Sequence, residues 1–251
     1  MAEGDTILRA SRRLEAAIGG ERVAVSTPNP RGRAARLERL EGRRLERVES
    51  RGKHLLLHFD GLVLHSHLGM SGSWHTYRRG ERWRKPRRSA WVVLAGQGQE
   101  AVQFGGPTLR LLSAEKLRLD PQLARLGPDV LADEFDLDAV VAAMRGQPDR
   151  TLGDTLLDQR LVAGIGNIFK SEACFAAGVD PWRPLGNLGD EELREVLLAA
   201  RGLMLAAVAS GRQPHAIYRR RGPCPRCGGM VSARGQGDAN RTTYWCRRCQ
   251  A

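Results

Sequence analysis

Long apolar runs are missing from this chain of 251 residues. None approaches the ~18 residues that a bilayer crossing needs, which excludes a helical membrane span. A charged-then-apolar leader ahead of a small-residue cleavage site is also lacking, so a cytoplasmic, bacterial-type protein is expected. No internal repeat is evident. Lysine is scarce and confined to Lys53, Lys85, Lys116 and Lys170, so the basic character is almost entirely arginine. Cysteine is scarce too: five residues, four of them in two close pairs near the end. In a reducing compartment that clustering points to metal rather than to disulfides.

What is present is positive charge on a foldable chain. Lys and Arg number 40 against 28 Asp and Glu, for a formal net charge of +12. A bias toward arginine codons accounts for part of such an excess. The sign still favours a polyanionic partner, nucleic acid before an anionic membrane. With 41% apolar residues there is material for a real core, and the length suits one large domain or two ordinary ones.

Three regions are expected. The first, 1–119, opens with a helix candidate, "DTILRASRRLEAAIG", whose Ile7, Leu8, Leu14 and Ile18 lie near one face. Gly19-Gly20 ends it. Strands follow: "RLERVES", then "KHLLLHF" and "LVLHSHL" around Asp60-Gly61, a tight-hairpin turn. "WVVLA", "EAVQF" and "LRLLS" continue the series between glycine-rich turns. Short strands without long helices between them predict an antiparallel sandwich or barrel. The second region, 120–221, is helical. "DLDAVVAAMRG" has Asp136 or Asp138 as cap, and "GDEELREVLLAARGLMLAAVASG" carries acids in its first turn and a long apolar stripe. The third, 222–251, has too few apolar residues to fold by burial alone and needs a staple.

That staple is legible. Cys224-x2-Cys227 and Cys246-x2-Cys249, with eighteen residues between the pairs, have the spacing of a four-thiolate zinc site. Two tight knuckles close a tetrahedron with no open position, so the zinc is structural. A redox pair is the competing reading. The loop between the pairs carries Arg234 and Arg241, which a zinc-held hairpin can present to a phosphate. Cys174 reads as a buried small residue. Upstream, Gly164-Ile165-Gly166-Asn167 separates two helical segments. It is either a helix corner capped by asparagine or an anion site at a helix N-terminus. Five histidines, from His54 to His75, lack metal spacing and read as structural or polar-face residues.

Taken in order, the N-terminal x-Glu-Gly, "SRGKHLLL", "HSHLGMSG", "GIGNIFKSE" and "RTTYWCRRCQ" span the whole chain and resemble the formamidopyrimidine-DNA glycosylase/endonuclease VIII (Fpg/Nei) family, its Nei branch in particular. The resemblance implies an α+β multidomain fold: an N-terminal antiparallel β-sandwich with a first helix, a helix–two-turn–helix domain and a terminal zinc-finger β-hairpin. It implies a bifunctional glycosylase and AP lyase acting on damaged DNA as a monomer, without a nucleotide cofactor. The N-terminal amine, here that of Ala2, attacks C1′, and a Schiff base leads to β,δ-elimination. Glu3 serves as general acid and base, or alternatively as an ordinary first-turn helix acid. Lys53 holds a phosphate, or is a solvated edge charge. Asn167 and Arg241 bind a flanking phosphate. Met70 fills the gap left by the extruded base, or packs in the core.

Three departures bear on this. Ala2 stands where the family usually has proline, so a weakened or inactive damaged-DNA-binding protein is the alternative. Thr6 replaces a common acid. "AVQFGGPTLRLL" lacks the Arg/Phe wedge of Fpg proteins, and the stretch from Ser210 to Cys224 is short. These two absences favour oxidised pyrimidines as substrates. An RNA- or ribosome-associated zinc-ribbon protein explains the charge and cysteines but not Glu3, Lys53 and Asn167 together.

Overall fold

The structure, a computed structural model, describes residues 2–250. Two compact units result: residues 6–124 with Ala2, and residues 125–250 with Glu3–Asp5.

In the first unit α1 (Gly4–Ile18) is followed by β1 (Ala24–Ser26), the one-turn helix α2 (Pro30–Arg33) and strands β2 (Leu45–Arg51), β3 (His54–Phe59), β4 (Leu62–His67), β5 (Ser73–Arg78), β6 (Ala90–Ala95), β7 (Gln99–Phe104) and β8 (Thr108–Ser113). Short helices α3 (Ala114–Arg118) and α4 (Pro121–Ala124) close it. The strands make two four-stranded antiparallel sheets, ordered β1-β6-β7-β5 and β2-β3-β4-β8. Leu55, Leu57 and Phe59 of β3 and Leu62 and Leu64 of β4 share one core with Trp74, Val92, Leu94 and Ala101 of the other sheet. The α1 residues Ile7, Leu14 and Ile18 join that core, as their spacing on one helix face predicts, whereas Leu8 is only half-buried and lies outside it. The β3–β4 hairpin turns at Asp60-Gly61, with Phe59 opposite Leu62 and Gly61 at φ +71°.

The period of two along β3 has a second consequence. Its core-facing leucines alternate with His54, Leu56 and His58. Register places His54 opposite His67, Leu56 opposite His65, and His65 opposite Arg110 on β8. The outer face of this sheet therefore gathers histidines, and His54, His58 and His65 are buried there.

The second unit contains α5 (Leu137–Arg145), α6 (Leu152–Thr155), α7 (Asn167–Ala177), α8 (Asp190–Ser210) and the hairpin of β9 (Ser232–Gln236) with β10 (Arg241–Trp245). Asp136 caps α5, accepting from the Ala139 N–H at 2.9 Å. Phe169, Ala173 and Cys174 of α7 pack with Val196, Leu197, Ala200 and Met204 of α8 and Val140 and Met144 of α5. Cys174 is the buried small residue its sequence suggests. Gly178 and Gly211, both with positive φ, end α7 and α8. Among the described residues no helix is long and apolar enough to cross a membrane.

Candidate functional site

In the second unit the N-terminal Glu3 and the "GIGN" turn form one construction. Glu3 is fully buried. Its Oε1 accepts the N–H of Ile168 at 2.9 Å and its Oε2 accepts that of Phe169 at 3.3 Å. These are two of the donors that the N-terminus of α7 leaves without intrahelical partners. The neighbouring Gly4 N–H donates to Gly164 O at 3.0 Å. Both glycines of the turn are forced. Gly164 sits at φ +101°, and a Cβ on Gly166 would lie 2.2 Å from the Glu3 carboxyl carbon. Asparagine capping is thus not what the turn uses: the N-cap residue is Gly166, with no side-chain cap of its own, and the carboxylate that caps α7 comes from a residue 165 positions away.

Asn167 starts α7 and is 5% exposed. Its Nδ2 donates to Thr242 O on β10 at 2.8 Å, while its buried Oδ1 meets no partner. Arg241 begins β10, opposite Gln236. One turn along α7, the fully buried Lys170 donates from Nζ to Thr243 Oγ1 at 2.5 Å. That hydroxyl donates to Gln236 Oε1 at 2.5 Å, and Gln236 Nε2 reaches Thr151 Oγ1 at 2.9 Å and Pro181 O at 2.8 Å. Burial, and secondarily the Arg241 charge, lowers the Lys170 pKa to about 8. Two positions on, Glu172 accepts three backbone N–H groups, from Ala216 (3.1 Å), Ile217 (3.0 Å) and Tyr218 (2.7 Å). Asp5 accepts from Gln213 Nε2 at 2.9 Å. The segment after α8 is therefore tied down at both ends by acids. Sequence reading missed Lys170 and Glu172, though both lie inside "GIGNIFKSE"; a lysine and a glutamate on a helix as apolar as α7 were the available signal.

The four cysteines close up as their spacing predicts. All four Sγ atoms lie within 4.8 Å of one another, with Cys224–Cys249 at 3.8 Å and Cys227–Cys246 at 3.5 Å. A tetrahedron of sulfurs about 2.3 Å from zinc has edges of about 3.8 Å. The donor set therefore fits one structural zinc.

In the first unit Lys53 occupies the β2–β3 turn, between paired Arg51 and His54. Met70 lies in the turn between β4 and β5 and is 73% exposed, which disposes of core packing as its role. The turn is tight: Gly72 N–H donates to Leu68 O at 2.8 Å, and Gly69 has φ +56° and no room for a Cβ beside Pro107. Ala2 is half-buried at the edge of the main core. Met1 lies outside the described residues.

The chain matches the family descriptions "Formamidopyrimidine-DNA glycosylase N-terminal domain" over residues 1–107, "Formamidopyrimidine-DNA glycosylase H2TH domain" over 126–217 and "Zinc finger found in FPG and IleRS" over 222–251. It belongs to the Fpg/Nei family. It is 39% identical to the "Probable endonuclease 8 2" of Streptomyces coelicolor, over all of this chain and 94% of that protein. It is 34% identical to the DNA-(apurinic or apyrimidinic site) lyase Nei2 of Mycolicibacterium smegmatis, over 100% of this chain and 99% of that one. The crystal structure of the MutM (Fpg) protein of Thermus thermophilus superposes with a TM-score of 0.80 at 31% identity, covering 99% of this chain and 98% of that one.

Proposed function

We propose that this DNA glycosylase and AP lyase of base-excision repair removes oxidised pyrimidines and cleaves the strand by β,δ-elimination, with the α-amine of Ala2 as nucleophile. The observation that carries the reading is the fixation of Glu3. A carboxylate in the residue next to that amine is buried and held by two backbone N–H groups, which supports a role as general acid and base on the opening sugar. Removal of Met1 exposes the amine. A free α-amino group titrates near ~7.7–8.0, so a useful fraction is neutral at physiological pH. Nitrogen adds to C1′ as the base leaves with its bonding pair and gains a proton. O4′ then leaves C1′ with its pair as the ring opens to a protonated imine. Loss of the C2′ proton gives an enamine that expels the 3′ phosphate, and loss of the C4′ proton lets the 5′ phosphate depart in turn. A primary-amine imine is positively charged only while protonated. A lyase step slower than that of a proline counterpart follows.

Lys53 holds a phosphate in this reading. Asn167 and Arg241 do so from the α7–β10 junction, where the Asn167 amide already fixes the β10 backbone. Met70 is the exposed apolar wedge. The preference for pyrimidines is supported by the short segment after α8, pinned by Asp5 and Glu172, which leaves no long loop to cover a purine. The protein acts as a monomer on damaged DNA in the cytoplasm. Borohydride trapping on abasic DNA, with the adduct mapped by mass spectrometry and the N-terminus sequenced on the same batch, tests the assignment. A hydride-reduced adduct on Ala2 is expected. Trapping on Lys53, or full trapping with Met1 retained, would overturn it. Parallel cleavage of thymine glycol and 8-oxoguanine duplexes tests the substrate class, and faster release of the purine lesion would reverse it.

A further inference from the structure

On the outer face of the β2-β3-β4-β8 sheet runs a chain of polar groups, buried except for Arg110, whose side chain is 38% exposed. Asp120 caps α4, accepting from the N–H groups of Gln122 and Leu123 at 3.1 Å each, and pairs with Arg110 at 2.6 Å. Arg110 Nε donates to His65 Nδ1 at 3.0 Å. His65 Nε2 lies 2.8 Å from His54 Nδ1. His65 is fully buried and His54 is 5% exposed.

The direction of every bond in this chain is fixed by one fact: a guanidinium has no acceptor. His65 Nδ1 must therefore accept from Arg110. Burial, with the Arg110 charge adding to it, lowers the His65 pKa to about 4. Burial, followed by the neighbouring His65, lowers that of His54 to about 3. Both rings are thus neutral at physiological pH, with one proton each. The His65 proton sits on Nε2 and is donated to His54 Nδ1. The His54 proton is then on Nε2. That N–H has no partner among the described residues. The His54 ring centroid is 4.9 Å from that of half-buried His67, and Lys53 is near enough to His67 to help burial lower its pKa. His54 and Lys53 each neighbour His67 at the end of the β3–β4 hairpin away from its turn, where His54 lies opposite His67.

We infer that His54 is a further ligand for the phosphate that Lys53 holds, its Nε2–H presented as a permanent neutral donor, and that Arg110 is the positioning residue that sets this tautomer through His65. The inference rests on the reading of Lys53 as a phosphate ligand. Its energetic signature differs from that of Lys53. A neutral donor to a phosphate oxygen adds affinity without releasing counterions, whereas a lysine does both.

The test uses zinc-loaded full-length protein and a duplex carrying a tetrahydrofuran abasic analogue, which cannot be cleaved through C1′. In histidine-15N NMR of the wild type, His54 and His65 are expected as neutral Nε2–H tautomers, with the His54 Nε2–H signal shifting on DNA addition. His54→Phe should weaken binding roughly three- to tenfold, the worth of one neutral hydrogen bond, at an unchanged salt slope. His54→Gln, which keeps a donor, should recover part of the loss. Arg110→Met should mix the His54 tautomers and cost nothing further in the His54→Phe background, since its effect passes through His54. Lys53→Gln should weaken binding and make the salt slope shallower by about one contact. An Nδ1–H His54 in the wild type, or wild-type affinity in His54→Phe, overturns the inference. Wild-type affinity and slope in Lys53→Gln overturns the Lys53 reading instead, and the two failures are read from separate variants.

Discussion

At the scale of single residues, Glu3 is held by the backbone at the start of α7. Glu3→Gln keeps one acceptor but turns an N–H group toward a backbone N–H. It should cost about 1–3 kcal/mol of stability and lower base release by at least ~100-fold. The check is single-turnover cleavage beside a thermal melt. Gly166→Ala gives a sharper result. The added Cβ would overlap the Glu3 carboxyl, so cleavage should fall as far as in Glu3→Gln although no reacting group is altered. Gly202 on α8 is the control, because a Cβ there meets nothing within 4 Å. Gly202→Ala should raise stability by up to ~1 kcal/mol and leave cleavage unchanged. Wild-type cleavage in Gly166→Ala would mean that Glu3 acts from some other position.

At the scale of elements, α7 and the β9–β10 hairpin are latched through Lys170, Thr243 and Gln236. The folded Lys170 pKa, about 8, lies below its ordinary 10.5. Between those values the unfolded chain holds a proton that the native protein does not, so stability rises with pH across that window. Below about pH 8 both states are protonated and the destabilisation from burying the ammonium is at its full size. Relative to Lys170→Met, wild type should therefore gain stability between pH 8 and 10.5 and show a constant difference below pH 8. Paired denaturant titrations measure this; a flat difference across the window would show that Lys170 is not desolvated. Local pattern explains which elements were legible beforehand. The Asp60-Gly61 hairpin, the Asp136 cap, the two CxxC knuckles and the alternation of β3 each depend on residues within a few positions. β1 has only three residues and α2 and α4 only four, too short to carry a period. The Glu3–α7 cap, the burial of Lys170 and the Arg110–His65–His54 chain join residues from distant parts of the sequence, and nothing in their own surroundings announces them. "GIGN" was legible as a turn and a candidate anion site, but not as the place where a distant carboxylate would dock.

At the scale of the molecule, charge and zinc are both expected to bear on DNA affinity. With a net charge of +12, DNA affinity should fall steeply with salt, as log K against log salt at about −0.9 per phosphate neutralised. Arg241→Ala should make that slope shallower by about one contact. Zinc decides whether Arg241 is in place at all. The core around the metal site amounts to Phe175, Ile217, Cys224 and Cys246, with a few partly buried neighbours, far too little to hold the hairpin without the metal. Loss of zinc releases β10, and with it Arg241, the Thr242 carbonyl that receives Asn167, and the Thr243 hydroxyl that receives Lys170. Chelated protein, and Cys246→Ser, should therefore lose more affinity for abasic-analogue DNA than Arg241→Ala does, because three contacts go instead of one. The core of the first unit draws on no zinc ligand. Hydrogen exchange should accordingly show protection lost in β9, β10 and the first turn of α7 while β3 and β4 keep theirs. Undiminished DNA binding by a preparation shown to be metal-free would separate the zinc from the interface.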